Sequence, residues 1–549
     1  MEDAHQKSSA RASLINPAPG TPGEGRPQIL RRFPQATWRT IFLLAFFLLL
    51  AAPFIMRTLA SSGRSDESQI DASTPRLVVI TPHDQDIRNE FRWAFADWHR
   101  KKYGQPIELE FLVPGGTSDV RRQLETLYKT IRAAHAGALP PEDQVDSGIQ
   151  IAWGGGDVFF DRELKPLGIL RPLDLSPRQL AEIFPQPALS GSNLYDRKST
   201  PPQWVGVCLS SFGIVYNADV CSALEVPPPQ TWDDLTDPRF IGAVALCDPT
   251  HSATATAMDM LILQRAMADA ETKFLDDPIN RGKSAKVLKN CPAYQAALDA
   301  GFAAGMSTLT RIAANARYVT NDSTRIPTDV ALGDSAAGMA IDFYGRVTEE
   351  TVGPRREQFV LPKDATAVNP DPVAILYGTH GPMLDYANHF VEFLLSPEGQ
   401  RLWILKVGQP GGPRRHALRR PPVRQSVYAD RTGWADDINY FSDLNGFKQR
   451  PDWVAMLPEL RPIWAAAWVD DGDDLRDAYR KILAIDDPNR REKLLADLVE
   501  PPITRQEVLQ AGHDRLNSIP SDLDRARQRL DWAKRFLDHY RQIEDDAAD

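Results

Sequence analysis

A chain of 549 residues, 42% hydrophobic and 25% charged, has the length for two globular lobes plus extensions and an ordinary globular composition. Its net charge of -10 excludes a broad nucleic-acid footprint, though not a local basic pocket for an anion. Residues 1–39 are rich in Pro, Gly, Ser and Arg, lack hydrophobic periodicity, and read as a disordered head. Residues 41–56 form a nearly unbroken apolar run containing Pro53. With its flanks, the segment 40–60 approaches the roughly 20 residues that span a bilayer. Lys7, Arg11, Arg26, Arg31, Arg32 and Arg39 precede it, and only Arg57 and Arg64 follow closely. That asymmetry predicts a cytoplasmic N-terminus and a chain that continues on the periplasmic or extracellular face. The run is longer than a usual signal core, so an uncleaved anchor is preferred to a signal peptide cut near Thr58-Leu59-Ala60. Residues 61–75 form a polar linker.

Strand and helix signals then alternate. Residues 77–80 read as a strand. A helix follows, with Ile87, Phe91, Phe95 and Trp98 at helical spacing, closed by Gly104. Residues 107–112 are the next strand. After Gly115-Gly116, Thr117 or Ser118 caps a helix with Val120, Leu124, Leu127 and Ile131 on one face. A third strand, 149–153, runs into Gly154-Gly155-Gly156. This βαβαβ pattern predicts a mainly parallel sheet with ligand groups at the carboxyl ends of its strands. Further strands are expected at 204–209, 213–216, 244–246, 338–342 and 373–376. Helices are expected at about 255–270, 292–314 and 386–395. Beyond about residue 415 the chain turns to helix formers and charge. Leu523, Ala526, Leu530, Ala533, Leu537 and Tyr540 repeat as a heptad seam, read as the face of a helix packed on its own lobe. Cys208, Cys221, Cys247 and Cys291 lie within one internal stretch; an exported location permits disulfides, and the spacing chooses no pairing.

Common catalytic signatures are absent. There is no H-E-x-x-H, no G-x-S-x-G and no metal-spaced Cys/His cluster. Gly282-Lys283-Ser284 ends like a phosphate loop, but Asp277 stands where the motif requires Gly. What stands out is a set of Gly- and hydroxyl-rich turns at strand ends. Gly115, Gly116, Thr117 and Ser118 open one helix, and Ser252, Ala253 and Thr254 open another. Free N–H groups at such starts suit an anion, although each turn also reads as an ordinary helix cap. Gly154, Gly155, Gly156 and Asp157 follow a strand directly, which implies a close backbone approach or a sharp loop. His83 ends the first strand. Asp342 and Tyr344 end another, where Tyr344 stacks on a ligand or fills core. These residues are the candidate ligand-binding set; none is assigned a catalytic or metal role.

The ordered string Trp204-Val205-Gly206-Val207, Phe212-Gly213-Ile214-Val215-Tyr216-Asn217, Thr231-Trp232-Asp233-Asp234-Leu235, Asp248-Pro249-Thr250-His251-Ser252-Ala253-Thr254, Ala337-Gly338-Met339-Ala340-Ile341-Asp342 and Ser396-Pro397-Glu398-Gly399-Gln400 resembles the solute-binding components of ferric-ion-type ABC importers. The likeness covers about residues 75–422. It implies an α/β, two-lobed type II periplasmic-binding-protein fold. Residues 76–203 and 363–422 would form lobe one and 204–362 lobe two, hinged near 204–208 and 359–371. Residues 423–549 would be a helical C-terminal extension. It also implies a monomeric binding protein rather than an enzyme, without a resident cofactor, serving a permease and an ATPase. Iron-binding members carry adjacent tyrosines on the strand matching 341–344. Here the pair reads Phe343-Tyr344, one phenolate short. A phosphorylated or carboxylated organic anion is therefore the preferred cargo and Fe³⁺ the alternative. The rival function is a membrane-tethered sensor built on the same clamp.

Overall fold

The computed structural model describes residues 74–363, 366–442, 446–517 and 522–548. The apolar run at 41–56, and with it the expected anchor, lies outside the described residues. Among the described residues no helix is long and apolar enough to cross a membrane.

The strands are β1 (Arg76–Ile80), β2 (Glu108–Leu112), β3 (Ile151–Trp153), β4 (Ala188–Leu189), β5 (Ser192–Asn193), β6 (Val205–Tyr216), β7 (Val244–Cys247), β8 (Ala316–Thr320), β9 (Ala337–Ile341), β10 (Gln358–Val360) and β11 (Val368–Ile375). All but the β4–β5 hairpin join one sheet ordered β2-β1-β3-β11-β6-β9-β7-β8, with β10 also on β6. The twelve residues of β6 are all buried, and they hold the sheet together. Residues 205–211 pair antiparallel with β11, and residues 212–216 pair with β9. The sheet thus has two halves, β2-β1-β3-β11 and β9-β7-β8, threaded on one strand.

The longer helices are α1 (Gln85–Tyr103), α2 (Thr117–Ala134), α3 (Ala253–Asp276), α4 (Pro292–Ala314), α5 (Arg325–Leu332), α6 (Asp342–Val352), α7 (Pro382–Leu395), α8 (Leu457–Ala465), α9 (Gly472–Leu483), α10 (Pro488–Val499), α11 (Arg505–Asn517) and α12 (Asp522–Ala548). Helix α1 starts where Asp84 accepts the Ile87 N–H at 2.9 Å and stops at Gly104, whose φ of 73° admits the left-handed turn. Its Phe91 and Phe95 pack with Trp153, Phe390 and Trp403 in the core of the first half.

The structure differs from the sequence expectation in three informative places. Strands expected at 204–209 and 213–216 are one strand. Ser210 and Ser211 interrupt the apolar run but are buried and bonded, to Arg420 at 2.7 Å and to Tyr440 at 2.7 Å respectively. Strand β11 begins five residues earlier than expected, through Pro370 and Pro372; a register shift between Asp371 and Pro372 absorbs the lost donors. The C-terminal helices are a third surprise. They pack into the second half, where Trp464, Trp468, Phe536 and Tyr540 share a core with Trp232, Met258 and Phe302, but on a face other than the expected one. In α12 the buried face is Trp532, Phe536, Tyr540 and Ile543, while Leu523 and Leu530 are exposed. The heptad seam thus overlaps the buried face only in part: Tyr540 is buried and Ala533 packs on this core, while the large aromatics Trp532 and Phe536 turn the face away from Leu523 and Leu530. All four cysteines are free thiols, three of them buried.

Candidate ligand cleft

A cavity of about 620 Å³ lies where the two halves of the sheet meet. Its floor is the bulge of β11. Proline on either side of Asp371 keeps backbone donors away, and the register shift aims the carboxylate out of the ladder. One Asp371 oxygen accepts the N–H of Gly155 at 2.7 Å and of Gly156 at 3.3 Å. The other meets His83 Nε2 at 2.8 Å and Arg420 Nη1 at 2.7 Å. Burial alone would raise this carboxyl, but Arg420 and His83 more than offset that and hold it well below the usual carboxylate range. Arg420 is 1% exposed, donates to Ser210, and sits over the Phe343 ring at 4.2 Å.

Two helix starts converge on this floor. In the first half, α2 begins at Thr117, and the Asp119 carboxylate turns back to accept the Gly116 N–H at 3.1 Å while also binding Arg122. This start carries its own anion. In the second half, Ser252 caps α3 by accepting the Ala255 N–H at 3.3 Å. The next two N–H groups, of Ala253 and Thr254, have no partner among the described residues. The rims touch: Ser118 Oγ donates to the Thr250 carbonyl at 2.7 Å, and a Cβ on Gly116 would stand 2.5 Å from the His251 carbonyl. A second bridge is ionic, from Arg461 Nη1 to Glu163 at 2.7 Å.

The residues picked out from the sequence distribute as follows. His83, Gly115, Gly116, Thr117, Gly155, Gly156, Asp157, Ser252, Ala253, Thr254 and Tyr344 line the cavity. Gly154, Ser118 and Asp342 do not. Gly154 packs under His83, whose ring would be 2.7 Å from an added Cβ. Ser118 is spent on the contact between the rims. Asp342 opens α6 instead of ending a strand, is fully buried behind the floor, and binds Tyr440 and Ser211. The glycine run needs its positive φ values of 94°, 111° and 84° to thread past His83 and Thr117 and point two N–H groups at Asp371. Its close backbone approach is thus to the protein's own carboxylate.

Residues the sequence did not single out also line the cavity, among them Asp371, Arg420, Arg88, Asn369, the loop 321–324, and Gln449, Val454, Leu457 and Arg461 from beyond residue 422. The isolated acid in Pro370-Asp371-Pro372 was a legible sign of a bulge; no local signal placed Arg461. Burial raises two acids of the lining, Asp157 and Tyr344. Burial, with help from the Asp161 carboxylate, raises Asp157 to about 7. Burial pushes the Tyr344 phenol well above its ordinary value, so it stays protonated and can donate. The acids Asp371, Glu163 and Asp119 are all paired, to Arg420, Arg461 and Arg122.

Residues 168–434 match the family model described as bacterial extracellular solute-binding protein. That segment, a little under half of the chain, is therefore similar to extracellular solute-binding proteins. A curated relative, the phosphoglycerate transport regulatory protein PgtC of Salmonella typhimurium, is 27% identical over 198 residues, covering 36% of this chain and 40% of that one. The chain thus matches less than half the length of that relative. Among solved structures, the periplasmic binding protein AfuA of Actinobacillus pleuropneumoniae, with exogenous fructose-6-phosphate bound, is similar at 18% identity; the match covers 65% of this chain and 87% of that chain, with a TM-score of 0.44. Iron-bound HitA of Pseudomonas aeruginosa is similar at 15% identity over 71% of this chain and 99% of that chain, also with a TM-score of 0.44.

Proposed function

We propose that the chain is the extracytoplasmic solute-binding component of an ABC importer. It captures a small organic anion, phosphorylated or carboxylated, in the cleft and hands it to a permease driven by an ATPase. The observation that carries this reading is the start of α3. Ala253 and Thr254 line the cavity at the positive end of a 24-residue helix, and their N–H groups have no partner among the described residues. The cavity's size suits a solute of this class. Ferric ion is the less well supported cargo. Tyr344 resists ionisation, Asp371, Glu163 and Asp119 already have cationic partners, and burial holds Asp157 up at about 7, which leaves the Asp84 and Asp322 carboxylates of the lining for a hard cation. The relative's own name, a phosphoglycerate transport regulatory protein, suits a phosphorylated acid. It also favours a second reading, in which the clamp reports its solute to a partner instead of delivering it. The apolar run at 41–56 would keep either form at the membrane.

The test is calorimetry and thermal shift on residues 74–549 with phosphoglycerate, sugar phosphates, inorganic phosphate and ferric citrate, repeated on Ala253→Pro. Proline suits the first helical position, and Ser252 before it already has the extended φ and ψ of -120° and 121° that proline demands. The substitution therefore deletes one N–H and leaves the helix standing. A charge-assisted hydrogen bond is worth about 1.5–3 kcal/mol, so affinity should fall roughly tenfold or more. Binding of ferric citrate alone, with a charge-transfer band, would overturn the organic-anion reading. Equal affinity in Ala253→Pro would move the anion away from α3.

A further inference from the structure

We infer that Arg461, carried by the C-terminal helices, is a solute-selecting residue of the cleft that binds the anion together with the start of α3. The inference rests on the proposed function and names a residue outside the segment matching the family model, 168–434. Helix α8 is fixed in the core of the second half by Leu457, Leu460, Ile463 and Trp464. It turns Arg461 into the cavity. There the guanidinium is oriented by three contacts. Nε donates to the Pro249 carbonyl at 3.2 Å and lies 3.2 Å from Thr256 Oγ1, and Nη1 binds Glu163 at 2.7 Å. Pro249 precedes the Ser252 cap and Thr256 stands in the first turn of α3, so Arg461 is held alongside the free N–H groups. Its Nη2 has no partner among the described residues. A planar guanidinium whose direction is set by fixed acceptors is a pre-organised receptor for a carboxylate or phosphate. Glu163, which also meets Arg121 at 3.3 Å, tempers this charge from the opposite half.

Two substitutions separate solute contact from a purely mechanical latch. Arg461→Met removes the cation, and Glu163→Gln removes the competing carboxylate while keeping its shape. If the Arg461–Glu163 pair only ties the halves together, both variants break it and both shift affinity in the same direction. If Arg461 meets the anion, the effects are opposite: Arg461→Met weakens phosphoglycerate or sugar-phosphate binding at least about tenfold, and Glu163→Gln tightens it by a few fold. Circular dichroism and the urea midpoint report whether Arg461→Met still folds. If it does not, Arg461→Lys and Glu163→Gln carry the test, since lysine keeps the charge but not the fork and should recover only part of the affinity. Same-direction shifts, or unchanged affinity in all the variants, overturn the inference while the wild type still binds. A wild-type protein that binds none of these anions overturns the proposed function instead.

Discussion

Replacing Asp371 with Asn tests the electrostatic floor of the cleft. The carboxylate serves four donors at once: two glycine N–H groups, His83 and Arg420. Asparagine keeps one acceptor oxygen for the glycine N–H groups. Its amide nitrogen, however, replaces the oxygen 2.7 Å from Arg420, setting donor against donor. Arg420 is 1% exposed, and Ser210 is too weak an acceptor to neutralise it. Breaking such a buried pair costs about 3–5 kcal/mol, because one charge is left in a site built for two. Urea unfolding at pH 7 should show that loss. The companion variant Asp371→Asn with Arg420→Met should recover much of it, since no orphan cation remains. The sign with pH is also fixed. Asp371 is depressed in the folded state, so its stabilisation is present above the unfolded carboxyl value of about 3.9 and fades as pH falls towards its folded value. The gap between wild type and Asp371→Asn should therefore shrink below about pH 4. A deficit under about 1 kcal/mol at pH 7, or one independent of pH, would refute the reasoning.

Other positions yield sharper contrasts at lower cost. Glu357 is fully buried, its two oxygens have no hydrogen-bond partner among the described residues, and burial, with the nearby Glu349, raises it to about 9. A carboxyl raised on folding contributes stability below its unfolded value and loses it as pH rises, so Glu357→Gln should equal wild type near pH 4.5 and exceed it at pH 8 in urea midpoint; parallel curves would count against this. In α12, Phe536→Ala should cost about 3–5 kcal/mol and Leu530→Ala less than about 0.5, because the first is 1% and the second 68% exposed. Equal losses in the two would restore the heptad face.

How much of this was legible in the chain depends on how far each signal reaches. Periodicity and caps are local, and they placed the starts of α1, α2 and α3 and the Gly-rich turns within a few residues. The α3 start could be read because a polar cap, a helix and a preceding strand are contiguous. Misreadings arose where a residue's partner lies far along the chain. Ser210 and Ser211 read as a break because Arg420 and Tyr440, which satisfy them, come more than two hundred residues later. The triple glycine suggested a ligand because Asp371, its real partner, is equally remote. Asp342 was placed in the cleft because the chain continues past it into Tyr344, yet a helix starting at Asp342 turns the carboxylate inward and the phenol towards the cavity. Arg461 is the extreme case. Nothing around it marks a binding residue, and only the packing of α8 under the second half brings it beside Pro249 and Thr256. In such a clamp the local sequence encodes the turns that present backbone groups, while charges arrive from distant segments through the core. A family pattern ending at residue 434 can therefore describe the scaffold and stop short of Arg461, the residue proposed to select the solute.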